Sequence, residues 1–218
     1  MVQKFLSHKG TERLILIFAG WGMDENLCRD IALVADHDSM ICYEYSNLEF
    51  EISAIEKYSE VVVYAWSMGV WAAATVLPNS PTINVISSTA INGTHSPRHA
   101  DYGINPEIFD ATLANISEGG MRRFNRRMCN SKRELIADFE SHAATSRTLE
   151  SLTRELQAIK DAIISHKKPE YRWSRIVIGR GDLIFVAENQ MRSWEAEGQS
   201  YTILEDAAHY IPMREVIK

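Results

Sequence analysis

Apolar residues along the chain fall into short continuous runs separated by stretches of helical period, the alternation that parallel-sheet crossover units produce. Residues 13–18 read Arg-Leu-Ile-Leu-Ile-Phe, with no polar position after Arg13 to make a solvated face, and predict a buried strand. Gly20-Trp21-Gly22 breaks that run, and Asp24 stands where it can cap a helix over residues 26–34. Residues 40–45 predict a second strand, 51–58 a short amphipathic helix, and Val61-Val62-Val63-Tyr64 a central strand. Residues 68–77 follow almost at once as a helix. Its small residues Gly69, Ala72, Ala73 and Ala74 let it lie close against a sheet, and Pro78 ends it. Residues 82–86 predict a fourth strand.

The pattern then changes. From about residue 105 to 168 there is helical periodicity, a Gly119-Gly120 break and no convincing strand. Strand signals return at 174–178 and 200–204, with a helix at 188–197 between them. The expected architecture is α/β, one domain over residues 1–218. It has about six mainly parallel strands with helices on both faces, and a helical cap inserted at about 105–168 before the penultimate strand.

Composition narrows the classes. Apolar residues at 45% and charged ones at 24% match a chain that buries a core, which excludes disorder and fibrous repeats. The apolar run at residues 14–19 is too short to span a bilayer, and no basic leader precedes a cleavable apolar segment, so a cytoplasmic, soluble monomer is expected. Cys28, Cys42 and Cys129 are far apart and odd in number, which favours reduced thiols. A net charge of −6 argues against nucleic acid, because neutralising phosphates needs a positive field. The charge is uneven, however. Residues 121–133 hold Arg122, Arg123, Arg126, Arg127, Lys132 and Arg133 and no acid, so a local positive patch is expected. On helical spacing the four arginines form two adjoining columns, with Met121, Phe124 and Met128 on the other side.

In an open parallel sheet, reacting groups gather where loops leave the carboxyl ends of the strands. Ala65-Trp66-Ser67-Met68-Gly69 places a serine on a strand-to-helix turn with small residues two positions either side, the spacing of a nucleophile elbow. Ala65 stands where the first glycine is usual. The simpler reading is a serine that only caps the following helix. An elbow serine needs an acid and a base at later strand ends, and Gly179-Arg180-Gly181-Asp182 and Asp206-Ala207-Ala208-His209 supply them in the chain order serine, acid, histidine found in α/β-hydrolases. Asp206 is too local to His209 to serve as its partner while the ring's far nitrogen faces Ser67. His95, His99 and Asp101 suggest a metal set, but they lie among Gly93, Pro97 and Gly103 on a loop that fixes no geometry, so neither metal nor cofactor is expected. His8, His37, His142 and His166 carry no signal. The Trp21 and Met68 amides are the expected oxyanion donors, since the small residues about Trp21 let its N–H turn toward the serine.

Four segments together resemble the BioG-type pimeloyl-[acyl-carrier protein] methyl ester esterases: Phe18-Ala-Gly-Trp-Gly-Met23, Tyr64-Ala-Trp-Ser-Met-Gly-Val-Trp71, Ala90-Ile-Asn-Gly-Thr94 and Arg126-Arg-Met-Cys129. The first two occur in looser form across α/β-hydrolases, and the last two are narrower. The resemblance implies hydrolysis of the methyl ester on a carrier-bound pimeloyl chain during biotin precursor synthesis, with Ser67 as nucleophile, Asp182 as orienting acid and His209 as base. It also implies an acidic acyl carrier protein as partner, which Arg122, Arg123, Arg126 and Arg127 could dock. The residues by themselves leave open a thioesterase, a small-ester carboxylesterase, or a non-catalytic binding protein on the same scaffold.

Overall fold

Seven strands form one sheet in the order β1-β3-β2-β4-β5-β6-β7 in the computed structural model, which describes residues 1–28 and 36–217. They are β1 (Val2–Ser7), β2 (Arg13–Phe18), β3 (Asp38–Tyr43), β4 (Glu60–Trp66), β5 (Val85–Ile91), β6 (Arg175–Gly181) and β7 (Thr202–Ala208). β1 runs antiparallel to β3, and every other neighbouring pair is parallel. The middle strands are the apolar runs: in β2 every residue from Leu14 to Phe18 is buried, as are Val61 and Val63 of β4.

Helix α1 (Met68–Val76) leaves β4 at once, and a tight turn at Leu77–Asn79 containing Pro78 ends it. Between β5 and β6 run four consecutive helices, α2 (Pro106–Ala114), α3 (Glu118–Met128), α4 (Arg133–His142) and α5 (Leu149–Ser165). They start where the sequence turns helical and end just short of residue 168. Asn105, Ser117 and Thr148 cap α2, α3 and α5 by accepting from first-turn amides. Helices α6 (Ala187–Ala196) and α7 (Met213–Val216) complete the chain. No helix among the described residues is long and apolar enough to cross a membrane.

Four expectations need correction. β1 is a seventh strand that the pattern hides, because it lies at the sheet edge, is only half-buried, and carries Gln3 and Lys4 within it. Residues 51–58 form turns and no helix: Gln3 bonds both the Glu51 carbonyl and its amide, and the Tyr58 hydroxyl is drawn to Asp38 at 2.7 Å, so the segment is pinned from outside. The fourth expected strand starts three residues later and runs to Ile91, because Ser87-Ser88-Thr89 masks a strand in which Ser88 exchanges hydrogen bonds with Ser174. β7 continues through Glu205 and Asp206, which an edge strand can hold in solvent. Of the helix expected over 26–34, residues 25–28 form one tight turn beside Asp24, and 29–34 lie outside the described residues.

Candidate active site

The sheet order reverses between β2 and β4, since the chain leaves β2 for β3 on one side and returns to β4 on the other. A crevice opens at the carboxyl ends of such a pair, and Trp21 and Ser67 stand there. Ser67 has φ 59° and ψ −127°, a region that L side chains rarely adopt and that costs about 1–3 kcal/mol. Sheet and helix hold it in place. The Ser67 amide donates to Ile91 O at 2.9 Å, and its carbonyl accepts from Val70. A Cβ at Gly69 would lie 2.2 Å from Phe18 O, and one at Gly93 2.4 Å from Ser67 O, so both positions admit only glycine. Ala65 is fully buried within β4 between Phe18 and Ala90, where its methyl is accommodated.

Ser67 Oγ lies 3.0 Å from His209 Nε2, and His209 Nδ1 lies 2.8 Å from Asp182 Oδ2. All three residues are buried. The other oxygen of Asp182 accepts the amides of Ile184 and Phe185 at 2.8 and 2.9 Å, and Gln190 Nε2 donates to Oδ2 at 3.0 Å. A carboxylate so supplied with donors accepts from Nδ1–H, which leaves Nε2 free to accept the Ser67 proton. The ring itself packs against Trp66, tilted with centroids 5.1 Å apart, and is stacked with Phe185 at 6.0 Å. Trp66 Nε1 also donates to His209 O at 2.9 Å.

Asn92, just beyond β5, joins the strand ends. Its Nδ2 donates to Ala208 O and His209 O, each at 2.9 Å, and its Oδ1 accepts the Gly179 amide at 2.7 Å. Gly179 must be bare as well, because its Cβ would meet Ala208 O at 2.6 Å. Sequence reasoning did not single out Asn92, Trp66 or Gln190 for these tasks. Asn92 had a signal, an asparagine before glycine at a strand end, which suits its φ of 47°. Gln190 had none.

Above Ser67 an apolar cavity is walled by Trp21, Phe109, Phe124, Leu156 and Ile184, with Met68 beside the serine. The Met68 amide is at the first turn of α1, where helix geometry leaves N–H groups without an acceptor. The Trp21 ring packs edge-on to Phe124 and donates to Leu152 O at 3.0 Å. The expected arginines are on α3, exposed, with Met121, Phe124 and Met128 turned inward. The structure sorts them into two pairs. Arg123 and Arg127 line a groove toward α2 that shares Ile108, Thr112, Phe124 and Arg127 with the cavity, whereas Arg122 and Arg126 line a cleft toward α4. Arg127 also donates to Leu183 O at 2.7 Å, beside Asp182.

His95 is drawn into a buried link of a different kind. Its Nε2 accepts from Trp173 Nε1 at 2.9 Å, so Nδ1 carries the proton toward Glu197 at 2.8 Å. His99 stacks on Tyr102. Among the described residues no group of three or more His, Cys, Asp or Glu is placed to hold a metal. Burial raises the thiol pKa of all three cysteines, that of Cys129 to about 12.

The model of the family described as pimeloyl-ACP methyl esterase BioG matches residues 1–214. A malonyl-[acyl-carrier protein] O-methyltransferase of Bacteroides fragilis is 40% identical over 199 residues, covering 90% of this chain but 39% of that longer protein. The crystal structure of BioG from Haemophilus influenzae superposes with a TM-score of 0.85 at 32% identity, covering 98% of this chain and 96% of that one. An esterase from Exiguobacterium antarcticum, at 13% identity and a TM-score of 0.67 over 98% of this chain and 91% of its own, shares the fold. The chain therefore belongs to the BioG family and has an α/β-hydrolase fold.

Proposed function

We propose that the chain is a serine esterase that removes the methyl group from a pimeloyl methyl ester borne on an acyl carrier protein, a step of biotin precursor synthesis. The observation that carries this reading is the continuous row from Ser67 Oγ through the His209 ring to Asp182, at 3.0 and 2.8 Å, beneath an apolar cavity. His209 takes the Ser67 proton as Oγ attacks the ester carbonyl, then passes it to the departing methoxide, so methanol leaves and an acyl-serine remains. Water, deprotonated by the same nitrogen, attacks the acyl-serine. The proton returns to Oγ as the free carboxylic acid departs. Asp182 holds the ring tautomer and stabilises its cationic form. The Trp21 and Met68 amides receive the oxyanion, each contributing roughly 3 kcal/mol to the transition state.

Family membership and the apolar cavity favour an acyl chain with an uncharged terminal ester. The methyltransferase activity in the name of the Bacteroides protein is that of a chain of which this one matches 39%. For the part in hand, an alcohol, an imidazole and a carboxylate in hydrogen-bonded series support acyl transfer to water. Incubation with pimeloyl-carrier methyl ester should yield the free acid, seen by mass as loss of one methylene. Turnover of a p-nitrophenyl ester without turnover of the carrier ester overturns the substrate. Failure on both, and on the matched thioester, overturns the reaction.

Arg122, Arg123, Arg126 and Arg127 supply the positive face for an acidic carrier. Because Arg127 also holds Leu183 O, the clean variant spares it. Arg123→Glu with Arg126→Glu should raise KM for the carrier-bound ester about tenfold or more and leave p-nitrophenyl ester kinetics within about twofold. Equal effects on the two substrates overturn the docking role.

A further inference from the structure

The loop after β2 is gripped at four successive residues by the segment that ends in α5. Trp21 Nε1 donates to Leu152 O at 3.0 Å. The Gly22 amide donates to Glu155 Oε2 at 3.2 Å. Met23 O accepts from Arg147 Nη1 at 3.2 Å, and Asp24 Oδ2 accepts from the Ser146 amide at 2.7 Å and from the Thr145 and Ser146 hydroxyls at 3.0 Å. Leu152 and Glu155 are three positions apart, on one face of α5. The two anchors therefore bracket the Trp21 backbone, one through its own ring and the other through the next amide.

Glu155 is the centre of this grip. It is fully buried, with Arg147 Nη1 at 2.6 Å on the oxygen that also takes the Gly22 amide, and the Tyr45 amide at 3.0 Å on the other. Burial raises the Glu155 carboxyl pKa above its ordinary value, opposed by Arg147 and by the Tyr45 and Gly22 amides. A charge kept in the interior with three converging donors is an expensive way to hold one helix against a sheet, since an apolar contact of similar volume often serves as well. Its location beside the proposed oxyanion donor gives it a purpose. Gly22, at φ 77°, lets the chain turn so that successive amides leave in different directions. The Gly22 amide bond to the carboxylate holds the Trp21–Gly22 peptide plane, and the ring bond to Leu152 O holds the Trp21 side chain, so the residue between these two anchors has little freedom to turn its own N–H away.

We propose that Glu155 is a positioning residue for the oxyanion site, holding the Gly22 amide so that the Trp21 N–H stays aimed at the space beside Ser67 Oγ. This rests on Trp21 being an oxyanion donor, and the experiment separates the two ideas. Glu155→Gln removes the charge and leaves one oxygen for three donors. Glu155→Asp keeps the charge opposite Arg147 but draws it back by one methylene, and it decides the matter if the glutamine variant does not fold. Rates are expressed per serine titrated with a fluorophosphonate, which discounts misfolded protein. For a p-nitrophenyl ester, kcat should fall about 30-fold or more with KM within about threefold, the signature of a contact made in the transition state. The second readout is the infrared stretch of a carbonyl-labelled cinnamoyl group on Ser67, which donors in the site lower. In the parent the band should be lowered, and in either variant it should move back toward that of a free ester. An unlowered band in the parent overturns the oxyanion reading itself. A lowered parent band that does not move in the variants, with kcat per site unchanged, overturns the role of Glu155 and leaves the oxyanion reading intact.

Discussion

Ser67→Ala should lower kcat on every ester substrate by about 10⁴-fold or more, because with Ser67 as the proposed nucleophile the acyl-enzyme route would be lost and only binding and oxyanion contacts would remain. The fold should survive, since among the described residues the Ser67 side chain bonds only to His209 Nε2. The companion variant has an opposite effect on stability. At φ 59° and ψ −127° a Cβ is a liability, and Ser67→Gly relieves it, raising the unfolding free energy by about 1 kcal/mol or more even after the entropy that glycine adds to the unfolded chain. Thermal denaturation of the parent and both variants, with kcat measured on the same preparations, tests the pair. A glycine variant that is less stable than the alanine one would show that the elbow stores no strain.

Asn92→Ala should be the most damaging change outside the reacting groups. It strips the Gly179 amide and the Ala208 carbonyl of their Asn92 partner, and leaves His209 O with the Trp66 indole. Buried polar groups left this way cost about 1–3 kcal/mol each, so a loss of roughly 3–5 kcal/mol is expected. For a chain of this size that corresponds to about 10 °C in Tm. Because Asn92 ties β5 to the loop that carries His209, kcat should fall as well, by roughly tenfold or more even well below Tm. Denaturant unfolding followed at several wavelengths, together with assays at low temperature, checks both parts. A stable variant of normal activity would mean that the strand ends hold their spacing without it.

Runs that are buried on both faces announce themselves in the sequence, which is why β2 and the core of β4 read correctly from Leu-Ile-Leu-Ile-Phe and Val-Val-Val-Tyr. Strands at the sheet edges do so only in part, β1 not at all and β7 only over 200–204, because solvent lets them hold Gln3, Lys4, Glu205 and Asp206, and the alternation is diluted. The elbow was readable for a different reason: steric demand leaves small residues at fixed offsets, and Gly69 is where Phe18 O leaves no room. Asp182 and His209 could be ranked because each follows a strand at the carboxyl edge of the sheet. What could not be read was long-range polar pairing. Nothing near Glu155 says that it will meet the Gly22 amide, and nothing near His95 says that Glu197 and Trp173 will close around it. Such partners are chosen by tertiary packing, and their residue types are compatible with an ordinary solvated surface.

The four helices between β5 and β6 hold more than the roof of the cavity. Arg127 grips the Leu183 carbonyl, Met128 O accepts the Tyr210 amide at 2.9 Å, Asp138 accepts the Tyr210 hydroxyl at 2.8 Å, and α5 holds the Trp21 loop. Three of the strand-end loops therefore take part of their shape from this one insertion. Chimeras that exchange it as a cassette, to borrow another enzyme's chain-length preference, would remove the scaffolding of the chemistry along with the old specificity. Altering selectivity in this fold calls for repainting the inner wall residue by residue while the struts stay in place.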